Sequence, residues 1–304
     1  TNTAYYDSLI SNYLNKISGV NFPERKIIHG DLIEKLRYGE NPHQESAIYS
    51  LDEGTGINKI HGKSLSYNNY NDILSALTIS KSLPKNTGTV IVKHANPCGV
   101  SILKDKTQSF NSALGCDPIS AFGGIVSCNY KITKNIATKL NKIFFEVVIA
   151  NGFEENALKI LKSKKNLRLI DASNFLLNRN LRFNSLHNSL MVQSEDSQIF
   201  SKKNFFVVSK KKPNISQLNN LIFAFNICRY VKSNAIVLAA DKSTIGIGSG
   251  QPSRLDSCEI AINKMNKFFH HKKEIVAASD AFFPFVDGIE KLVQSGGSAV
   301  IQPA

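Results

Sequence analysis

No stretch of this chain is apolar for long enough to cross a bilayer as a helix, and no CxxC pair occurs in its 304 residues. The five cysteines (Cys98, Cys116, Cys128, Cys228, Cys258) are scattered and odd in number. That speaks against a disulfide frame or a cysteine zinc site and for reduced thiols in a cytoplasmic protein. The run Gly246-Ile247-Gly248-Ser249-Gly250 lacks the Lys-Ser/Thr of a P-loop and the spacing of a dinucleotide fingerprint. His94 has no Glu two residues on, and Cys98 no Cys three positions on, so the zinc deaminase signature is not completed. An RNA-binding motif is also missing. The formal charge of +13 comes from lysines spread along the chain, with short runs only at Lys202-Lys203 and Lys210-Lys212. A solvated basic surface is the first reading of most of these charges and a funnel for polyanionic substrates the second, and neither nucleic acid nor membrane is expected as a partner.

What is present is an ordinary globular composition, 42% hydrophobic and 20% charged, long enough for two cores. Strand and helix patterns alternate. Helices are expected over 4–17 (N-cap Thr3, apolar side Tyr6, Leu9, Ile10, Tyr13, Leu14, Ile17), 73–83, 107–114, 133–145 and 154–163. Strands are expected over 89–92, 125–128, 146–150 and 167–171. Residues 172–204 read as an irregular polar linker. A second alternating stretch follows: strand 205–209, helix 216–230, strand 235–240, a hairpin-like return at 244–248, helix 252–268, strand 274–279, helix 286–295 and strand 298–302. This grammar is that of an α/β layered protein, although no clean sequence repeat is visible.

The most chemical stretch is Thr89 to Ser101, a β-branched strand ending on Lys93-His94, with Asn96, Pro97 and Gly99 expected to stop it. An ammonium and an imidazole at the carboxyl end of a strand sit where α/β proteins bind ligands, and together they can give and take protons near neutral pH. A strand that merely ends in two polar residues would read the same. Arg37 and Tyr38 lie in the loop 36–44, where an Arg suits a phosphate or simply a surface turn. The polar run 65–72, with Asn69 and Asp72, either lines a site or caps the helix after it. Asp117 precedes Gly123-Gly124, Ser233-Asn234 leads into a strand, and the glycine-rich turn before Arg254 would offer amides to an anion. Phe282, Phe283 and Phe285 stand between Asp280 and Asp287, as core or as the wall for a flat ligand.

Segments 36–44, 65–69, 92–101, 117–124, 232–234, 245–254 and 279–288, in this order, resemble the AICAR transformylase domain of the bifunctional AICAR transformylase/IMP cyclohydrolase family. Thr3 to Asp7 resembles the segment that joins it to the cyclohydrolase domain, normally fused upstream. The resemblance implies an α/β fold of two tandem cytidine-deaminase-like α/β/α units, here 1–200 with its N-terminal linker helix and 201–304. It implies a cytoplasmic homodimer with active sites at the subunit interface. The implied reaction of purine (IMP) biosynthesis moves a formyl group from the cosubstrate 10-formyltetrahydrofolate to the 5-amino group of AICAR, giving FAICAR, without catalytic metal. His94 matches the general base and Lys93 the general acid, and Asn234 the residue orienting the formyl or carboxamide group. Arg37 (5′-phosphate), Tyr38, Asn69 and Arg254 match AICAR positions, Asp117 a folate position, and Phe282, Phe283, Phe285 and Asp287 the pocket wall. Relatives hold a structural K+ near the Lys-Ser-Asn segment, where Ser233 and Asp280 offer side-chain oxygens. The family's domain continues past the final Gln-Pro to a further helix, strand and site Arg. The strand 299–302 is therefore expected inside a sheet, and native downstream residues are expected to raise stability and activity.

Overall fold

A computed structural model describes residues 1–51, 54–177, 181–269 and 274–303. The chain forms two compact units, one of residues 1–57 and 175–198, the other of 58–174 and 199–304. They interleave in sequence, whereas the division expected from sequence grammar falls at residue 200.

The smaller unit opens with α1 (Asn2–Ile17), capped at Thr1 rather than Thr3. Its expected apolar side is exposed, from Tyr6 to Ile17. The opposite side docks through hydrogen bonds, Tyr5 Oη donating to Asp31 at 2.7 Å and Asn12 Nδ2 to the Ile27 carbonyl at 3.2 Å. After it, β1 (Asp31–Leu36) and β2 (Ser46–Ser50) pair antiparallel.

The larger unit begins with β3 (Asn58–His61), α2 (Tyr67–Ser82), β4 (Thr89–Lys93), β5 (Asn96–Ser101), α3 (Lys106–Cys116) and α4 (Pro118–Ala121). It continues through β6 (Ile125–Cys128), α5 (Lys134–Asn141), β7 (Val147–Ala150), α6 (Glu155–Lys162) and β8 (Arg168–Asp171). The chain then returns to the smaller unit for β9 (Leu181–Leu186) and β10 (Ser189–Ser194), a hairpin turning at His187-Asn188. The linker expected over 172–204 is thus partly a hairpin; its strands are mostly exposed on both faces, and the only alternation is the short Leu181-Arg182-Phe183-Asn184.

Back in the larger unit come α7 (Ile215–Cys228), β11 (Ile236–Ala240), β12 (Ser243–Gly248), α8 (Arg254–Phe268), β13 (Ile275–Ser279), α9 (Asp287–Gln294) and β14 (Gly297–Ile301). The strand expected over 205–209 does not form. Phe205 instead packs its ring against Phe200 and Phe225, and Phe206 and Val208 are exposed. Helix α5 stops at Asn141, short of 145, because Ile143 and Phe144 give their carbonyls to Lys164 and Gly123, each at 2.8 Å. Helix α2 starts six residues early: Ser66 and Asn69 form a capping box, so the polar run is its first turn.

One ten-stranded mixed sheet results, in the order β14-β13-β11-β12-β5-β4-β6-β7-β8-β3. Its two halves share a topology. In each, a helix (α2, α7) leads to an antiparallel hairpin (β4–β5, β11–β12), then a helix (α3, α8). A strand antiparallel to the hairpin's first strand follows (β6, β13), and after a further helix a parallel neighbour (β7, β14). The halves meet where β5 lies beside β12. One core gathers Ile91, Phe110, Val126, Tyr130 and Val148, the other Leu238, Ile245, Met265, Ala277 and Leu292. Strands β14 and β3 form the two edges of the sheet among the described residues.

Both hairpins need glycine in the second strand. A Cβ on Gly99 would lie 1.9 Å from the Ala113 carbonyl oxygen, and one on Gly248 1.9 Å from that of Ser257. The glycines read as an anion-binding turn are therefore in large part the seat of α8 on β12.

Candidate active site

Strand β4 does not break at Asn96. It turns through His94 (φ +51) and Ala95 (φ +57) into β5, with Lys93 opposite Asn96. Two residues with positive φ match the right-handed twist of a hairpin, and their cost in strain is of the kind that active sites hold. His94 is exposed and Lys93 half-buried. The Lys93 ammonium donates to the Phe122 carbonyl at 2.7 Å.

The turn is trussed by side chains. Asp72 on α2 accepts the Ala95 N–H at 2.7 Å, and Ser75 Oγ donates to the Ala95 carbonyl at 2.9 Å. Asn96 Nδ2 donates to the His94 carbonyl at 3.1 Å, while its Oδ1 accepts the Lys232 N–H at 3.0 Å. Asn96 thereby ties the Lys93-His94 turn to the segment Lys232-Ser233-Asn234. Burial raises the Asp72 carboxyl, against the lowering pull of the Ala95 and His94 N–H groups and the imidazole.

Around Asn234 the larger unit builds a tight polar cluster. Arg254, the first residue of α8, donates from Nη2 to Asn234 Oδ1 at 2.8 Å and from Nη1 to Ser279 Oγ at 2.7 Å, and pairs with Asp280. Asp280 also accepts from Ser233 Oγ and from the Ala235 N–H. Burial alone would raise the Asp280 carboxyl, but these donors hold it below the usual carboxylate range. Asn234 Nδ2 donates to the carbonyls of Gln251 (2.8 Å) and Pro252 (2.9 Å). Its amide reaches a substrate only if the 251–252 turn releases one of those bonds.

Other sequence-selected residues divide. Phe283 joins the cluster, its ring 6.0 Å from the Arg254 guanidinium carbon; Phe282 and Phe285 are exposed. Asp287 opens α9 and accepts the Gly288 N–H. Asn69 is buried, donating to Glu146 at 2.9 Å and capping α2. Asp117 is also buried, capping α4 through Ser120 and pairing with Lys264 at 2.8 Å. In the smaller unit, Arg37 is exposed, stacks on Tyr38 at 4.7 Å and donates to its hydroxyl at 2.9 Å. All five cysteines are buried, and Cys98, beside the turn, is pushed up to about 12 by burial, so it is no nucleophile. Sequence reasoning missed Ser75 and Asn96. The signal for both is the positive-φ turn, whose backbone groups need partners.

Asp117 gives the protein an acid limb. Burial alone would raise its carboxyl, but Lys264 and Ser120 hold it low, as Asp280 is held. The unfolded chain then takes up these protons first, so the stability they contribute is complete above about pH 5 and lost as pH falls through the folded values. In denaturant titrations from pH 6 to 2.5, Asp117→Asn should flatten that fall; an unchanged slope would mean the pair contributes nothing.

The sequence profile of the AICARFT/IMPCHase bienzyme family matches residues 1–264. The bifunctional purine biosynthesis protein PurH of Leptospira biflexa is 43% identical over 305 residues, covering 99% of this chain and 59% of that protein. PurH of Bacillus cytotoxicus is 40% identical over 307 residues (99% and 59%), and that of Bradyrhizobium diazoefficiens 42% over 316 (99% and 60%). An α/β protein with a Lys-His hairpin turn tied to an Asn-Arg-Asp cluster is the class that fold and site define. The chain belongs to the AICARFT/IMPCHase bienzyme family, and spans about three-fifths of the length of these relatives.

Proposed function

We propose that this chain transfers the formyl group of 10-formyltetrahydrofolate to the 5-amino group of AICAR, giving FAICAR for IMP biosynthesis. The observation that carries the reading is the strained Lys93-His94 turn tied through Asn96 to Lys232-Ser233-Asn234. The AICAR amine is a poor nucleophile because its lone pair is delocalised into the imidazole and carboxamide. As its nitrogen attacks the formyl carbon, neutral His94 accepts the proton it sheds. The oxyanion of the tetrahedral intermediate is met by the Lys93 ammonium and by the Asn234 amide once one of its carbonyl partners is released. The intermediate collapses with cleavage of the carbon–N10 bond, and Lys93 protonates the departing N10. Arg37 takes the 5′-phosphate, and Tyr38, Asn69 and Arg254 the rest of AICAR. Asp117 takes the folate, and Phe282, Phe283, Phe285 and Asp287 wall the pocket in a homodimer, where a second copy completes it. The two sheet halves are then the two cytidine-deaminase-like units of a cytoplasmic enzyme, with the cyclohydrolase domain upstream.

A structural K+ does not fit Ser233 and Asp280 as they stand. One Asp280 oxygen is taken by Arg254 and the Ala235 N–H, the other by the Ser233 hydroxyl. The test of the function is AICAR-dependent release of tetrahydrofolate by the purified protein; no release above the AICAR-free rate overturns it. For the phosphate, Arg37→Ala should weaken AICAR binding by about 1.5–3 kcal/mol through lost charge-assisted hydrogen bonds, and hardly affect the riboside. Calorimetry showing equal losses for nucleotide and riboside would place Arg37 elsewhere.

A further inference from the structure

The two sheet halves solve one local problem with different chemistry. In each, the first hairpin turns through two positive-φ residues, His94-Ala95 in one half and Asp241-Lys242 in the other. In each, the sixth residue of the preceding helix accepts the N–H of the second turn residue. Asp72 of α2 takes Ala95 at 2.7 Å, and Asn220 of α7 takes Lys242 at 2.9 Å. A neutral amide thus suffices to hold such a turn. The half that carries His94 uses a carboxylate at the same place, although burial there works against its charge. The carboxylate meets the turn one residue from His94, whose N–H and imidazole both pull it down against the effect of burial.

We infer that Asp72 is a positioning residue for His94, its negative charge stabilising the imidazolium formed when His94 takes a proton, while the hold on the turn needs only its oxygen. Asp72 and Ser75 take the Ala95 N–H and carbonyl, and Asn96 takes the His94 carbonyl, so the imidazole is presented on a held turn. The other charged groups near the turn are Lys93 on its own hairpin, whose ammonium is held by the Phe122 carbonyl, and Glu146, which raises the Asp72 carboxyl. Lys232 meets the Asn96 bridge through its backbone N–H.

The inference rests on the formyl-transfer reading for its catalytic part, and its test separates the two. Asp72→Asn copies the residue that the other half uses, so the fold is expected to survive. The His94 imidazole, assigned by the resonance lost in His94→Ala, is titrated by NMR in both forms. Its midpoint should fall by about half a pH unit or more in Asp72→Asn. The same substitution should lower kcat about threefold with KM for AICAR unchanged. Asp72→Ala, which also drops the oxygen, should lose stability in addition. An unmoved His94 midpoint overturns the inference, as does an unmoved kcat in a protein that turns over. A wild-type protein with no transfer activity overturns the proposed function instead, and the NMR midpoint alone then decides the role of Asp72.

Discussion

His94→Ala is expected to lower formyl transfer about 100-fold or more, with AICAR affinity and melting temperature little changed. The stability half follows from geometry. The imidazole is exposed, and the turn is held through its backbone by Asp72, Ser75 and Asn96, none of which needs the ring. The activity half follows from chemistry, since the delocalised amine reacts only as its proton leaves. Steady-state kinetics beside thermal melts check both. Near-normal turnover would remove His94 from the reaction, and a collapse in melting temperature would show that the ring supports the fold after all.

The second large effect concerns Asp280. Its side chain and that of Arg254 are only 15% and 11% exposed. Removing one partner of such a pair leaves the other as an uncompensated buried charge, so Asp280→Ala should cost about 3 kcal/mol of stability. It should also lower transfer activity, because Arg254 is the group that holds Asn234 Oδ1. Denaturant unfolding measures the first effect. A loss below about 0.5 kcal/mol would mean that the pair is solvated and behaves as a surface ion pair.

The alternation of strands and helices was legible over 106–171 and 215–301 because the strands are buried and β-branched and the helices amphipathic. What escaped was pairing. Nothing local says that Val92 faces Pro97, since the hairpin turn is made by His94-Ala95 and not by the Asn and Gly that usually mark one. The face of α1 was misread because hydrogen bonds of Tyr5 and Asn12, rather than apolar burial, decide how that helix docks. In the site, Lys93 and His94 were visible as unusual residues at a strand end. Asn69 and Asp117 stood out equally as polar residues beside turns, and only their partners, Glu146 and Lys264, show the structural work each does. The sequence alone could not show the packing role that Asn69 and Asp117 have beside the binding role proposed for them. That role lies in contacts 77 and 147 residues away along the chain.

The central claim is that the turn at His94 presents the base to the AICAR amine. Its most direct measurement is a crystal structure of the protein with AICAR bound. The account expects the 5-amino nitrogen within hydrogen-bond reach of the His94 imidazole, about 2.6–3.2 Å, with Lys93 and Asn234 converging on the space where the formyl carbon would lie. AICAR seated away from the 93–96 turn, or with its amine turned from His94 toward solvent, would contradict it.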